Sequence, residues 1–525
     1  MREKKVLCHG GIWDRGRLVR EMTMAVKDGY IETIEEGFCP ELLEDADEVV
    51  DLEGAVLFPG WIDSHLHIPG SLLFQLYGAD LQKGSSTDDY IRAIRECGAE
   101  DGWIRGFGWN APVLEKEGYD RLAAYLEQEC RDTPVLLFSD DYHSCMCSPC
   151  ALKRIAGAGI RVEPDRYGIV KEKDIFQLTA RLEELSFPEE QIETAIMRYQ
   201  EELLKLGITA VQTLMFLGGN GDREWKVLRR LDMEGKLKLK VNLALTVQPY
   251  EDLSRTDSRF ARLKEYETER IRVHTVKIYM DGVLENGTAF LKEPYEGSQR
   301  RGACVWEQGR LRDFCRRMDR EGRQIHIHAI GDGAVGAAVD GLVYAMERNG
   351  TAGRNRHVIA HLQMAAREDM ELMGRYGIIG AIQPFWFPQE QWGYGLDAVC
   401  LGDRVKDEYP AWSLLQAGVR LTGSSDSPVT PQPDPVTGIR LAAERFCEKE
   451  RVPEEEMAKA FTENGAYQLF REQEIGRIKA GYRADFAGYE GIPVGKEKEK
   501  KSRLCFVMAD GEAVRGHALS VRSAV

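Results

Sequence analysis

The sequence predicts an α/β fold, a TIM (β/α)8 barrel carrying a composite β-sandwich domain from both chain ends and a long insert after strand 1. Three observations point there. Through the middle of the chain, apolar β-type runs alternate with longer charged, helical stretches, the pattern of parallel βα units. Eight such runs can be counted, the number that closes this kind of barrel. The two ends share a different character, short β runs punctuated by Gly, Asp and Glu.

In chain order, residues 1–57 hold KKVLCHGGIW, MTMAVKDGYIETI and most of DEVVDLEGAVLFPGW, read as the first part of the composite domain. Residues 58–470 are the barrel. Its strands are LFPGWIDSHLH (57–67), GITAVQTLM (207–215), LKVNLALTV (239–247), VHTVKIYMDG (273–282), QIHIHAIGD (324–332), HVIAHLQ (357–363), GIIGAIQPF (377–385) and GVRLTGSSD (418–426). The first two are about 140 residues apart, far beyond an ordinary βα connection, so residues 75–205 are expected to form an inserted subdomain. Within it, DDYIRAIRECGAEDGWIRGFG and DRLAAYLEQECR read as helical and TPVLLFSDD as an apolar run. Gly-Gly-Asn-Gly (218–221) is a turn signal without the GK[ST] ending of a phosphate loop. Residues 471–525 return to β character in IGRIKAGYRADFAGY and SRLCFVMADGEAVRG, interrupted by GKEKEKKS, a solvated loop. The two β-rich ends are expected to pair.

Composition narrows the class. The chain's 525 residues exceed one barrel of roughly 250, and 43% hydrophobic with 30% charged residues exclude disordered, collagen-like and membrane proteins. A formal charge of −16 argues against nonspecific binding to nucleic acid or an anionic membrane. MREKKVLCHGGIWDRG lacks the apolar run of a signal peptide, and no stretch of about 20 apolar residues follows. Twelve cysteines without framework spacing read as reduced thiols, so a cytoplasmic protein is expected. Cys145, Cys147 and Cys150 invite a metal or iron–sulfur reading, but no fourth thiolate stands at a supporting spacing. The expected partners are a small-molecule substrate and, in a homodimer, a second copy of the chain.

Chemistry enters through the histidines. There are ten, and four stand at or near the C-terminal ends of proposed strands, where barrel active sites are built. His65 and His67, two apart on a strand, project to one face. His328 lies nearer the barrel exit than His326, which sits one layer deeper, packed or hydrogen-bonded. His361 ends its strand in the same way, and Asp426 closes the last strand among small residues. Imidazoles and a carboxylate suit a hydrolytic divalent metal, zinc first, with an open position for water.

The ordered set FPGWIDSHLH, WIRGFGWN, DYHS, VKIYMDG, IHIHAIGD, HVIAHLQ, AIQPFW, GSSDSPV and GRIKAGYRADF resembles the metal-dependent amidohydrolase superfamily, more narrowly amidohydrolase family 3, which includes N-substituted formamide deformylase. The resemblance covers most of the chain. It implies His65 and His67 as ligands of a first metal, His328 and His361 of a second, and Asp426 as a ligand and proton-transfer group. Lys277 would bridge two cations only if carboxylated, since an ammonium has no lone pair, and its alternative is a salt bridge. One or two Zn2+ per chain therefore remain open. The implied reaction is hydrolysis of a carbon–nitrogen bond of an amide, formamide or cyclic amide by metal-activated hydroxide, with Asp426 moving the proton or acting as a plain ligand. A metal-assisted lyase or isomerase, and a noncatalytic metal-binding protein, are the alternatives.

Around the mouth, Trp109 and His143 of the insert are candidate substrate contacts, with internal packing as the alternative. Asp281, Asp332 and Gln383, just beyond strand ends, are candidates to touch substrate or brace the ligands. The stretch CMCSPCAL after YHS and DGVLENGTAF after the fourth strand depart from the family's usual pattern, which leaves the substrate open.

Overall fold

The computed structural model describes residues 4–523 except 100–101, 112, 115–117, 141–143, 172, 183–184, 215–221, 250, 388–394 and 516–520. His143 and the 218–221 turn therefore lie outside the described residues.

The N-terminal segment folds as β1 (Lys4–Asp14), β2 (Arg17–Lys27), β3 (Tyr30–Glu36), β4 (Glu48–Asp51) and β5 (Val56–Pro59). Its two hairpins turn on Arg15-Gly16 and Asp28-Gly29, all four residues at positive φ, the conformation of a tight turn that matches strand twist. β1 forks the sheet: Lys5–Cys8 pair with β4 and Gly11–Ile12 with β5.

The run 57–67 is two strands, not one. β5 stays in the terminal sheet, and after Gly60 the chain enters the barrel as β6 (Trp61–Leu66). Gly60 is required by close approach, since a Cβ there would stand 2.2 Å from Thr209 Oγ1. The insert follows as β7 (Ala79–Asp80), β8 (Ile104–Trp109), β9 (Val135–Ser139), β10 (Ser144–Cys147) and β11 (Ile169–Lys171), one five-stranded sheet. Residues 88–108, expected to be helical throughout, divide. A helix runs Thr87–Cys97 under a Ser86 cap, Gly98 ends it, and the apolar second half becomes β8.

The barrel resumes with β12 (Ile208–Thr213), β13 (Lys240–Thr246), β14 (Ile271–Tyr279), β15 (Gln324–Ala329), β16 (Val358–His361), β17 (Ile379–Ile382) and β18 (Leu421–Gly423). With β6 these make eight parallel strands in sequential order, a nearly closed barrel. β18 meets β6 through Ser64 Oγ, which donates to the Gly423 carbonyl at 2.7 Å, and the Asp426 N–H, which donates to the His65 carbonyl at 2.8 Å. Strand alternation sends Val276, Ile278, Ile325 and Ile327 into the helix-packed core and leaves Lys277, His326 and His328 for the interior. The register sets Lys277 beside His326 and Tyr279 beside His328.

The chain ends in β19 (Phe486–Glu490), β20 (Arg503–Ala509), β21 (Glu512–Arg515) and β22 (Val521–Ser523). β19 pairs with β5 and β22 with β4, completing a nine-stranded sheet from both ends of the chain. Leu7, Met24, Val50, Leu57, Phe486 and Met508 share its apolar core. Under the barrel, buried Lys240 joins it by pairing with Asp485 and Asp510, each at 2.8 Å. Among the described residues no helix is long and apolar enough to cross a membrane.

Candidate metal centre

The strand ends bring His65, His67, Lys277, His328, His361 and Asp426 to the C-terminal mouth of the barrel, all of them at most 7% exposed. His65, His67 and Asp426 each offer a ligand atom within 4.8 Å of the others. Asp426 Oδ1 stands 2.9 Å from His67 Nε2 and 3.2 Å from His65 Nε2. The His361 ring lies 4.9 Å from that of His65 and 4.5 Å from that of His328, so the two histidine pairs form one cluster. His361 and Asp426 reach it from left-handed backbone, φ 77° and 57°, and Leu362, next after His361, shares that conformation at 52°. Such conformations cost about 1–3 kcal/mol each and persist where surrounding structure fixes them.

Second partners aim the rings. His67 Nδ1 donates to the Leu214 carbonyl at 2.6 Å, leaving Nε2 toward Asp426. His361 Nδ1 donates to Gln383 Oε1 at 3.1 Å, and Gln383 Nε2 donates onward to Ser424 Oγ. His65 Nδ1 is hydrogen-bonded to His326 Nε2 at 2.8 Å. Burial holds His65, His326 and His361 well below the usual histidine range, so at neutral pH they are uncharged and keep a lone pair. For Asp426, burial raises the carboxyl, but the His67 hydrogen bond and nearby positive charge outweigh it and hold it below the usual range.

Lys277 is fully buried, and its Nζ has no hydrogen-bond partner among the described residues; it stands over the Tyr279 ring, 4.8 Å from the ring centre. Burial brings it down to about 7 against the pull of Asp426. Neutral imidazoles, an ionised carboxylate and a partnerless buried amine make a donor set that fits a divalent cation, and the salt-bridge alternative for Lys277 finds no carboxylate within bonding distance among the described residues.

The other sequence candidates sit around this cluster in different ways. Gln383 braces His361. Asp281 is 1% exposed and accepts three backbone N–H groups, from Ile330 (3.0 Å), Gly331 (2.9 Å) and Phe290 (2.8 Å). It also lies 3.7 Å from His328 Nε2, so it fixes the rim and faces a ligand. Asp332 accepts the Lys292 N–H at 2.8 Å, farther out on the same rim. Trp109 is 2% exposed in the insert's own apolar core and donates to the Leu137 carbonyl at 2.8 Å. Cys145 and Cys147 are buried side by side in β10, Sγ to Sγ 4.0 Å, and none of the twelve cysteines is in a disulfide.

Three participants carried no role in the sequence reading. Asp63 is buried, accepts the His65 and Ser425 N–H groups and is pushed up to about 7 by burial. Trp386 stacks on His361, ring centres 5.3 Å apart and planes 3° off parallel. Tyr199 donates to Ser427 Oγ at 2.7 Å. The motifs WIDSHLH and AIQPFW contain the first two; nothing local marks Tyr199.

Residues 48–514 match the amidohydrolase family. YtcJ of Bacillus subtilis strain 168, named as an amidohydrolase, is 28% identical over 474 residues, 85% of this chain and 86% of that protein. N-substituted formamide deformylase of Arthrobacter pascens is 24% identical over 486 residues, 85% of each. A solved structure described as an uncharacterized metal-dependent hydrolase from Pyrococcus furiosus superposes with a TM-score of 0.71 at 24% identity, over 94% of this chain and 100% of that one, a likeness of fold.

Proposed function

The chain belongs to the amidohydrolase family, and from that premise we propose that it hydrolyses a carbon–nitrogen bond of an amide, formamide or cyclic amide other than a peptide bond. The carrying observation is the convergence of His65, His67 and Asp426 with His328, His361 and the partnerless amine of Lys277 at the barrel mouth. His65 and His67 are assigned to one cation and His328 and His361 to another, with Asp426 beside them and Zn2+ favoured by nitrogen and oxygen donors. When bound, such an ion polarises a carbonyl and acidifies water.

The chain's own residues do the rest. The Leu214 carbonyl, His326 and Gln383 hold His67, His65 and His361 in orientation. Asp426, kept ionised, accepts the proton that water loses on adding to the substrate carbon and returns it to the nitrogen as the C–N bond breaks. Buried Lys277, its amine lowered by burial, would take part in holding a cation only as the carbamate formed when Nζ adds CO2 with release of a proton. Cysteines outside any disulfide support a reducing, cytoplasmic setting.

The test is to strip the protein with a chelator, reload it with Zn2+ and assay N-substituted formamides, N-acyl amines and cyclic imides for release of amine or ammonia. Metal-dependent turnover of at least one is expected. Hydrolysis of dipeptides with none of these turned over would overturn the bond assignment.

A further inference from the structure

Asp426 leaves the last barrel strand in a left-handed conformation, φ 57°, of the kind that persists where its surroundings fix it. Its N–H is held by the His65 carbonyl at 2.8 Å. The next residue, Ser427, is 4% exposed. The Ser427 carbonyl accepts the His67 N–H at 2.9 Å, and the Ser427 N–H donates to Ser425 Oγ at 3.0 Å. Farther along, Thr430 Oγ1 donates to the Ser425 carbonyl at 2.5 Å and accepts the Trp386 Nε1–H at 3.2 Å, on the indole that stacks on His361. These bonds all run between strand ends of the barrel itself.

A further bond comes from outside it. Tyr199, on the helix Glu189–Leu204 at the end of the insert, donates to Ser427 Oγ at 2.7 Å. The helix Leu72–Tyr77, at the start of the insert, packs against that helix. Tyr199 is 5% exposed in the main apolar core, where a phenylalanine would fill the same space. The hydroxyl adds a polar group whose burial is costly unless it is bonded. Burial, with the negative charge of Asp63 and Asp426 nearby, pushes that hydroxyl up, so it keeps its proton and serves as a donor.

We propose that Tyr199 is a positioning residue of the metal centre, holding Asp426 against His65 and His67 through Ser427. Seating of the insert's flanking helices and placement of a ligand carboxylate then depend on one another. The assignment rests on the metal-centre reading and not on the bond that is hydrolysed.

Zn2+ affinity, measured by competition with a chromophoric chelator after stripping the protein, tests the role. Tyr199→Phe, which removes the hydroxyl alone, should bind Zn2+ roughly 2- to 10-fold more weakly, the net worth of one hydrogen bond. Ser427→Ala removes the same bond from its other end and should also weaken binding. Because both act on one bond, the double variant should lose less than the two single losses combined. Tyr482→Phe is the control for a purely structural effect, since Tyr482 is 8% exposed and donates to the Glu472 carbonyl at 2.8 Å, away from the mouth. It should keep wild-type affinity even where its thermal transition falls. Wild-type Zn2+ affinity in Tyr199→Phe or in Ser427→Ala overturns the proposal, as do losses that simply add in the double variant or an equal loss in Tyr482→Phe. A wild type that takes up no Zn2+ removes the metal-centre reading and the proposal with it. Weakened Zn2+ binding in both single variants, without turnover of any amide by the loaded wild type, sinks the hydrolase assignment and leaves the positioning role standing.

Discussion

Replacing Asp281 by Asn tests what holds the rim over His328. The carboxylate accepts Ile330 N–H on Oδ1 and Gly331 and Phe290 N–H on Oδ2, at 2.8–3.0 Å and fully inside the protein. An asparagine can satisfy one side only. In its better orientation the amide oxygen keeps Gly331 and Phe290 while the NH2 group confronts the Ile330 N–H. The orphaned donor costs about 1–3 kcal/mol, and two charge-assisted bonds weaken to neutral ones, so local opening becomes easier by about 2–4 kcal/mol. A chain of several packed units does not give one unfolding free energy, so amide hydrogen exchange is the suitable assay. Exchange at Phe290, Ile330 and Gly331 is expected to accelerate roughly 30- to 700-fold, with β9 of the insert unchanged as the internal control. Wild-type rates at all three amides would refute the clamp.

The double variant His65→Ala, His67→Ala is expected to lose bound metal while keeping its circular dichroism; undiminished metal by atomic emission would sink the ligand assignment. Lys277→Ala should lower the metal-to-protein ratio, and an unchanged ratio would eliminate the bridging carbamate. Gln383→Ala frees the His361 ring and should weaken metal affinity roughly 10- to 100-fold in a competition titration, with equal affinity contradicting the bracing role. Far from the mouth, burial raises Asp319, but hydrogen bonds from His357, Thr351 and Asn349 outweigh it and hold it well below the usual carboxylate range. Its folded pKa being depressed, its stabilisation is complete above the unfolded value of about 3.9 and lost as pH falls below it. Asp319→Asn should therefore be less stable at neutral pH and show a flatter acid transition between about pH 5 and 2 by circular dichroism; a transition as steep as wild type would count against this account.

The barrel was legible because each inward strand position alternates with a core-facing aliphatic, so Val276-Lys277-Ile278 and Ile325-His326-Ile327-His328 announce both a strand and what it carries. The break at Gly60 was not, because it depends on Thr209 of a neighbouring strand, which no local pattern records. Asp281 shows a similar limit. A carboxylate after a strand reads the same whether it faces substrate or backbone, and only the fold brings Phe290, Ile330 and Gly331 to it. The pairing of His65 with His326 spans 261 residues, which no local pattern records. Ligand types and their strand-end positions are written locally, while what orients them is assembled from distant segments.

The nine-stranded sheet also has a consequence in time. β5 borders β19, and Trp61, two residues beyond β5, donates to the hydroxyl of Tyr489 across 428 residues of chain. At roughly 5–20 residues per second, ribosomal synthesis separates those partners by ~20–90 s. Throughout that interval the Val56–Pro59 edge awaits a neighbour that has not yet been made, and the apolar face formed by Leu7, Met24 and Leu57 lacks the Phe486 and Met508 that cover it. The nascent N-terminus is therefore a waiting template, sealed only when the last tenth of the polypeptide arrives.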